Sequence, residues 1–468
     1  MTVMVTKDVA TKVLQRCLET GADFAELFCE DTVNGRIELV GGKVDKSTTR
    51  HIYGVGIRVL KDFQEVYGYT SDCSEKGLLA LAAKLSAAYD GKPLGIQFEL
   101  QETTAETDHV KILRPSDSVP VEEKISYLRT VDDAIASVEG CIVQRIVNME
   151  EHTQRVTIAN TKGKFVHDLR NQQRIAARVV ASDGVKSQAN SNSIGGNFDI
   201  DEYKKYDLAT FGKEVAQTTL RMLTADEIEG GVYTVIIHNG FGGVLFHEAC
   251  GHSLEATSVA RGQSVFTGRL GEKIASDVVT AIDDGTIFNE WGSTNIDDEG
   301  NRARRNVLIE KGVLKGYLID DRNSRFMKMP STGSGRRESY RFSPTSRMTN
   351  TYIENGESTF EDIIKNTKYG IFCKSMGGGS VNPVTGEFNF SVSEGYMVEG
   401  GKITRPVRGA TLIGNGANAL LNIDMVANNR SFGYGVCGSR SGSIFACVGE
   451  PTIRIQNMTV GGSGGKKQ

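Results

Sequence analysis

Segments with helical spacing are few in this sequence, and long runs of strand-like alternation separate them. Apolar residues recur every three or four positions in four segments: 6–18, 74–88, 119–138 and 207–223. Between the first two, residues 35–50 alternate apolar and polar side chains, with Gly41 and Gly42 placed as a hairpin turn. Because the two periods place side chains on one helix face or on opposite sheet faces, the chain is predicted to fold as α+β.

The order of these segments predicts several domains. Residues 1–105 form a first α+β unit and residues 106–225 a second one, with a polar stretch between them. Residues 226–468 are glycine-rich and contain many short apolar runs, with hairpin turns expected at 311–316 and 399–402. The predicted fold class is therefore α+β and multi-domain, two smaller α/β units followed by a large strand-rich C-terminal domain.

Charge and composition disfavour several classes of function. The formal net charge is −4, without the basic excess of a nucleic-acid binder. No run of about 18 apolar residues occurs, and the N-terminal segment lacks a basic head before an apolar core, so we expect neither a membrane span nor a signal peptide. The eight cysteines are scattered, unlike a disulfide framework, which favours a reducing cytoplasm.

The hexapeptide HEACGH, residues 247–252, carries the most specific chemistry in the sequence. The apolar residues before it suggest a buried helix, where an unpaired carboxylate is costly. A divalent metal supplies a partner, since zinc held by two imidazoles and one further ligand leaves a position for water, whose proton a nearby carboxylate can take. The motif indicates hydrolytic metal chemistry, with a surface or capped His–Glu pair as the structural alternative.

The two histidines are one residue further apart than in the zinc-protease motif H-E-x-x-H. On a regular helix His247 and His252 would diverge by roughly 140°, because each residue turns the helix by about 100°. A π-bulge could absorb the extra residue, or Gly251 could end the helix and let His252 swing inward. We expect the helix to be distorted within the motif rather than to end before it.

The third ligand is not fixed by the hexapeptide. No histidine follows His252, so a ligand from the C-terminal third must be Cys, Asp or Glu. Cys437 lies among glycines in GYGVCG, where the backbone can bend to aim a thiolate, and Cys with two His is a catalytic zinc set. Cys447, flanked by apolar residues, and His238, at the end of the preceding strand, are the alternatives. The residues by themselves leave all three open.

Several longer motifs occur along the C-terminal half: FHEACGHSLEAT, SVFTGRLGEKIAS, IDDEG, TGSGRRESYRFSPTSRMTNTYI, GGGSVNPVTGEFNFSVSEGYMVEGGKITRPVRGATLIGNG and GEPTIRIQNMTVGG. Together they resemble the TldD branch of the TldD/PmbA family, also called modulators of DNA gyrase. The resemblance spans most of residues 230–462, and the N-terminal half has the family's order of units. It implies a cytoplasmic zinc metallopeptidase with the motif H-E-x-x-x-H that acts on unfolded or small modified peptides.

The resemblance also implies roles for single residues. His247 and His252 bind zinc, and Glu248 is the general base that activates its water. Cys437 matches the family's third ligand, whereas Cys447 falls where the family has a small residue and is then a core or loop cysteine.

The family's second branch, TldE or PmbA, lacks the metal motif and often pairs with the active subunit. Because this chain keeps HEACGH, it resembles the active subunit. We expect a homodimer or a heterodimer with a motif-less TldE/PmbA-type subunit, and no direct nucleic-acid or membrane partner. The expected substrate is a peptide, which could add as a strand to an exposed sheet edge.

Two polar motifs elsewhere are candidate binding sites. In GRRESY, Arg336, Arg337 and Tyr340 could bind a peptide carboxylate or polarise a carbonyl near the metal. A salt-bridged loop joining domains is an equal alternative. The acidic residues of IDDEG, 296–300, could form a second cation site, but a turn with solvated carboxylates is the favoured interpretation.

Functions of two other classes remain open from the sequence. The protein could be a non-catalytic regulatory or binding subunit with a structural metal, and replacing Glu248 would then leave its activity unchanged. It could also be an amidase acting on non-peptide amides. The favoured prediction is a zinc-dependent metallopeptidase that hydrolyses peptide bonds in unfolded or small peptides, with the C-terminal domain as its catalytic domain.

Overall fold

The computed structural model describes residues 5–106, 108–382 and 385–462. It has the predicted mixed α/β composition, several domains and a strand-rich C-terminal region. The N-terminal half contains α1 (Lys7–Cys17), β1 (Phe24–Val40), β2 (Lys43–Lys61), β3 (Gln64–Thr70), α2 (Glu75–Ser86), β4 (Gln101–Thr104), α3 (Val121–Ala136), β5 (Ile142–Asn160), β6 (Lys164–Ser182), β7 (Ser187–Asn197) and α4 (Leu208–Leu223).

The C-terminal half consists mainly of short strands. Its elements are β8 (Asp226–Glu227), β9 (Gly231–Ile237), α5 (Val244–Ala249), α6 (Ala256–Val259), β10 (Ala281–Asp284), β11 (Arg305–Glu310), β12 (Val313–Leu314), α7 (Asp321–Met327), β13 (Gly335–Arg336), β14 (Thr345–Ser346), β15 (Asn350–Ile353), α8 (Phe360–Lys365), β16 (Tyr369–Val381), β17 (Glu387–Glu399), β18 (Lys402–Arg408), β19 (Thr411–Asn415), α9 (Gly416–Leu421), β20 (Ile423–Val426), β21 (Ser431–Ser439), β22 (Gly442–Glu450) and β23 (Ile453–Gly461). Short 3-10 turns occupy Ser116–Ser118, Ile200–Lys205, Phe241–Gly243 and Gly251–Leu254.

The four predicted helical segments form α1 to α4. Thr6 caps α1 and Ser74 caps α2, since each side chain accepts a hydrogen bond from a backbone N–H of the first turn. The hairpin expected at Gly41 and Gly42 joins β1 to β2, with φ angles of 57° and 82° that glycine adopts without steric penalty. The positions of these helices and of this hairpin therefore follow from the apolar spacing, the capping residues and the glycine turn.

One sheet unites the two predicted N-terminal units. Its strand order is β3-β2-β1-β5-β6-β4, and β7 pairs with the other part of β6. Strands β1 and β5 run antiparallel from the pair Glu26 and Asn160 to the pair Val40 and Ile146. Strands from residues 1–105 and from residues 106–225 are thus adjacent in a single layer.

The two faces of this sheet pack against different parts of the protein. Alternate β1 residues such as Leu27 and Leu39 pack under helices, α1 and α2 at one end of the sheet and α3 and α4 at the other. Phe28, which points to the opposite face, packs with Ile296 and Tyr340 of the C-terminal half. The N-terminal sheet therefore forms a platform for the C-terminal domain.

The C-terminal domain contains two larger sheets that share one hydrophobic core. One sheet has the order β12-β11-β10-β15-β22-β21, and the other the order β16-β9-β23-β19-β17-β18-β8, with β20 paired to β23. Helix α5 contributes Leu245, Phe246 and Ala249 to the shared core. The first half of HEACGH is therefore built into the centre of the domain. None of the helices in the described residues has the length and apolar character to cross a membrane.

Candidate metal centre

Glycines let the segment before HEACGH pack directly on strand β22. A Cβ added at Gly243 would lie 2.6 Å from backbone atoms of Gly449, closer than real Cβ contacts. Helix α5 begins at the next residue, Val244, and buries Phe246 and His247. The orientation of α5 is thus set by close backbone packing before the motif begins.

The helix ends inside the hexapeptide. Helix α5 stops at Ala249, Cys250 has φ −129° and ψ −44°, and residues 251–254 form a 3-10 turn. Leu254 and Ala256 then form backbone hydrogen bonds with Leu318, which hold the chain in its new direction. The favoured expectation of a helix distorted by one extra residue is therefore corrected: the chain breaks beside Gly251, the second alternative.

This break brings the two imidazoles together. The ring centroids of His247 and His252 are 5.0 Å apart, and the rings are nearly perpendicular, at 83°. A regular helix would have directed them apart, so the change from α to 3-10 winding accounts for the five-residue spacing.

Cys437 completes the cluster from a distant part of the chain. It lies on β21 close to the β21–β22 turn and is 8% exposed. Its Sγ is 3.2 Å from Nε2 of His252. One ligand atom from each of His247, His252 and Cys437 lies within 4.8 Å of the others, the one such group of three in the described residues.

Glu248 borders this cluster and reaches solvent. Its side chain is 28% exposed, and its Oε2 lies 3.7 Å from Nε2 of His252. The neighbouring His247 is buried. The helix thus places a partly exposed carboxylate beside a donor set in which His247 and Cys437 are buried and His252 is half-buried.

Neighbouring charges determine the protonation of the thiol. Burial raises the pKa of Cys437, but hydrogen bonds with His247 and His252 outweigh burial and lower the pKa to about 4. Burial lowers the pKa of His252, but Glu255 and Cys437 outweigh it and raise the pKa well above its ordinary value. Cys437 is therefore a thiolate at neutral pH, the form that binds metal ions.

The donor set fits zinc. Zinc–nitrogen bonds of about 2.0–2.1 Å and zinc–sulfur bonds of about 2.3 Å put the ligand atoms of a tetrahedral site roughly 3.3–3.7 Å from one another. The separations in the cluster, 3.2 Å for one pair and at most 4.8 Å for all, are close to this spacing. Two imidazoles and a thiolate also leave a fourth position, as a catalytic zinc site requires.

The competing third ligands lie outside the cluster. His238 Nδ1 is 3.0 Å from the hydroxyl of Thr452, and its ring packs against Phe372. The thiol of Cys447 is buried and donates to the carbonyl oxygen of Gly433. Neither side chain belongs to the group of ligand atoms formed by His247, His252 and Cys437.

The hairpin that carries Cys437 is held between the two halves of the protein. Phe445, on the opposing strand β22, packs on His152 of the N-terminal sheet with ring centroids 4.9 Å apart. Trp291, of the C-terminal half, donates a 2.7 Å hydrogen bond from Nε1 to the carbonyl oxygen of Gly435. The position of the thiolate thus depends on contacts with both domains.

Arg337 and Tyr340 of GRRESY are buried at the contact between the domains. Arg337 donates to Oε1 of Glu26 at 2.5 Å, and the backbone N–H of Tyr340 donates to Glu30 at 2.7 Å. Arg336 is also buried. These are the contacts of the second alternative, a salt-bridged connection between domains, and the described polar contacts of Arg336, Arg337 and Tyr340 do not include the His–Cys cluster.

The IDDEG carboxylates form a turn, as expected, but they are buried rather than solvated. Asp298 pairs with Arg170 at 2.6 Å and Glu299 with Arg58 at 2.7 Å. Asp297 accepts two backbone hydrogen bonds within the turn. The expectation of solvated carboxylates is wrong because the N-terminal sheet covers the turn and supplies the arginines.

Two residues that the sequence analysis did not single out adjoin the cluster. Glu255 Oε1 lies 3.3 Å from Nδ1 of His252, and a guanidinium N–H of Arg347 donates to the carbonyl oxygen of Cys437. An acid three residues after a histidine is a local signal that the sequence contains. Arg347 carries no such signal, because it meets Cys437 only through the fold.

Comparison with known proteins accounts for most of the chain. The family model described as PmbA/TldA metallopeptidase domain 1 matches residues 25–88. The family models of the central domain and of the C-terminal domain match residues 114–223 and 230–462. The chain belongs to the TldD/PmbA metallopeptidase family. The resemblance inferred from the motifs is thereby confirmed.

Curated members of the TldD/PmbA family cover nearly the same length. A metalloprotease TldD homolog from Haemophilus influenzae is 35% identical, over 94% of this chain and 93% of that protein. Another from Buchnera aphidicola is 32% identical, over 94% and 93%. A zinc metalloprotease TldD homolog from Saccharolobus solfataricus is 25% identical, over 96% and 99%.

Solved structures show the same TldD/PmbA fold. A putative modulator of DNA gyrase from Thermotoga maritima superposes with a TM-score of 0.78 at 21% identity, over 97% of this chain and 99% of that one. TldE from Thermococcus kodakarensis superposes with a TM-score of 0.72 at 18% identity, over 97% and 98%. The fold is therefore common to both structures and this chain.

Proposed function

We propose that this chain is a zinc-dependent peptidase that hydrolyses peptide bonds in unfolded or small peptides, with His247, His252 and Cys437 as the metal ligands. The observation that carries the proposal is the convergence of two imidazoles and one thiolate within 4.8 Å, beside the partly exposed Glu248. The names metalloprotease and zinc metalloprotease, borne by its relatives, support it.

The roles of the residues follow from their positions. When bound, zinc supplies a Lewis acid that polarises a carbonyl oxygen and lowers the pKa of water beside it to about 7. Glu248 takes the proton of the attacking water at a carboxylate oxygen and delivers it to the leaving amine. Its partial exposure gives substrate access to this oxygen, while the buried His247 keeps the donor set shielded from bulk water.

The sheet next to α5 offers a surface for an extended peptide. Strand β16 pairs with β9 only as far as Cys373, so one edge of residues 374–381 has no partner strand in the described parts of the chain. Gly378, Gly379 and Ser380 on this edge are exposed. A peptide that adds to the edge as a strand is bound through its main chain, which gives the broad specificity suited to unfolded substrates.

The proposal includes a second subunit. TldE from Thermococcus kodakarensis shares this fold, which supports pairing between chains of one architecture. The partner is either a second copy of this chain or a TldE/PmbA-type subunit without the metal motif. Light scattering of the purified chain, alone and after mixing with such a subunit, distinguishes the homodimer from the heterodimer.

The first test is the metal content. Elemental analysis should find about one zinc per chain in the wild type, the number that one set of three ligands holds. His247→Ala and Cys437→Ala should each lose most of it. Unchanged zinc in both variants would show that the proposed ligand set is wrong.

The second test separates the chemistry from the metal. Glu248→Gln should keep zinc and lose peptide cleavage by roughly 10²–10⁴-fold, since the amide cannot accept the proton. Glu272→Gln, at an exposed glutamate of the same domain, is the matched control and should cleave normally. Full cleavage by Glu248→Gln would remove its role as base, and cleavage of small amides but not peptides would indicate an amidase.

A further inference from the structure

The two histidines of the centre are held by different means. His247 lies on helix α5, whose residues Leu245, Phe246 and Ala249 pack in the core. His252 lies on the 3-10 turn that follows the break at Cys250, where fewer helical hydrogen bonds restrain the backbone. The orientation of the second imidazole therefore depends more strongly on a side-chain partner.

Glu255 is placed to be that partner. Its Oε1 lies 3.3 Å from Nδ1 of His252, and its side chain is 6% exposed. Its backbone is fixed on both sides, because Leu254 accepts a hydrogen bond from Leu318 and Ala256 donates one to the same residue. The carboxylate thus approaches His252 from a rigid segment, on the ring side opposite Nε2.

Arg347 connects this carboxylate to the third ligand. Its Nε lies 3.8 Å from Oε1 of Glu255, and NH2 donates a 2.5 Å hydrogen bond to the carbonyl oxygen of Cys437. NH1 donates to the hydroxyl of Ser441 and to the carbonyl oxygen of Gly442, both at 3.0 Å in the β21–β22 turn. The guanidinium is completely buried, so it has a fixed position between the two arms of the cluster.

We propose that Glu255 and Arg347 are positioning residues of the metal centre: Glu255 orients His252, and Arg347 ties Glu255 to the hairpin that carries Cys437. The inference rests on the proposed function and adds to it how the ligands are held. A proton on Nδ1, the ring nitrogen nearer Glu255, leaves the lone pair of Nε2 on the side of Cys437 and free to bind zinc. A carboxylate in this position also increases the basicity of the imidazole.

The test measures metal binding rather than turnover. Zinc affinity is determined by competition with a chromogenic chelator for the wild type, Glu255→Ala and Glu255→Gln, and each chain is also loaded with cobalt(II) for its visible spectrum. Glu255→Ala should bind zinc about 10–100-fold more weakly, with altered cobalt bands. Glu255→Gln should lie closer to wild type in both, since the amide oxygen still accepts from Nδ1–H.

A double variant tests the role of Arg347. Arg347→Lys keeps the positive charge but loses the planar guanidinium, whose Nε lies near Glu255 while NH2 donates to the carbonyl oxygen of Cys437. Combined with Glu255→Ala, it should weaken zinc binding by less than the product of the two single effects, because the residues act through one contact. Independent effects would overturn the link between them.

The control variant is Glu102→Ala, which removes another glutamate next to a histidine, 3.5 Å from His167 in the N-terminal sheet. It should leave zinc affinity unchanged. A Glu255→Ala chain with wild-type affinity and an unchanged cobalt spectrum would overturn the positioning role and leave the proposed function standing. A wild-type chain that binds no zinc would overturn both.

Discussion

Gly251 packs so closely on Met348 that one added methyl group would clash with it. A Cβ added at Gly251 would lie 2.2 Å from Sδ of Met348, and that side chain is only 1% exposed. The 3-10 turn that directs His252 toward the cluster therefore packs against the core at a point where a side chain larger than that of glycine displaces Met348. The smallest residue of the hexapeptide is thus part of the geometry of the metal centre.

The first prediction concerns Gly251→Ala. The added methyl should lower the free energy of unfolding by about 1–3 kcal/mol, the usual effect of overpacking a core. It should also reduce zinc affinity about tenfold or more, because the adjacent His252 must move. Urea denaturation and chelator competition measure the two effects.

Met348→Ala provides the control for this substitution. In the double variant the shortened side chain removes the clash, so zinc affinity should recover relative to Gly251→Ala, although Met348→Ala itself creates a cavity. A Gly251→Ala chain with the stability and zinc affinity of the wild type would refute the packing argument.

The second prediction concerns zinc removal and thiol reactivity. With zinc bound, Cys437 should resist alkylation by iodoacetamide, since its sulfur is coordinated; after chelation it should react as a thiolate. Cys447 is fully buried and should stay unmodified in both states, whereas the exposed Cys141 should react in both. Peptide mass spectrometry measures the extent of alkylation at each cysteine. Equal labelling of Cys437 with and without zinc would argue against its coordination.

The third prediction concerns the buried ion pairs of Arg58, one within the N-terminal sheet and one to the C-terminal domain. Arg58 is completely buried and contacts Glu26 and Glu299 at 2.7 Å each. Arg58→Met would leave both carboxylates without this charge, so the free energy of unfolding should fall by about 3–5 kcal/mol in urea denaturation. The control, Arg36→Met, removes a 43% exposed arginine of the same sheet and should change it by only about 0–1 kcal/mol. Equal effects would contradict the importance of burial.

The fourth prediction concerns pH. Burial raises the pKa of Asp283 from 3.8 to about 6. Between these values the folded chain keeps a proton that the unfolded chain has lost, so the stability contributed by this group falls as pH rises through that window. Asp283→Asn removes the titration and keeps an acceptor for Thr349 and Thr351.

We expect the free energy of unfolding of Asp283→Asn, relative to that of the wild type, to increase with pH. From pH 4 to pH 7 the zinc-free variant should gain roughly 2 kcal/mol relative to the zinc-free wild type, since each pKa unit corresponds to about 1.4 kcal/mol and the unfolded carboxyl is already partly ionised at pH 4. Urea denaturation midpoints at several pH values measure the gain. A constant difference across this range would show that Asp283 does not titrate as stated.

Local features could be predicted from the sequence because neighbouring residues determine them. The amphipathic spacing behind α1, with Thr6 as its cap, and the glycine pair at 41–42 act within one helix or one turn. The sheet that joins β1 to β5 could not be predicted in this way. Its register pairs Glu26 with Asn160, and such long-range pairing depends on packing rather than on local pattern.

The sequence by itself determined the chemistry of the candidate centre: His247, Glu248 and His252 share one hexapeptide, and the resemblance to the TldD/PmbA family pointed to Cys437. Only the tertiary structure decided how these groups meet. The break after Ala249 turns His252 inward, and Cys437 arrives from 185 residues further along the chain. The physical reason is that residue types set what a site can bind, whereas its geometry depends on backbone hydrogen bonds and close packing between segments far apart in sequence.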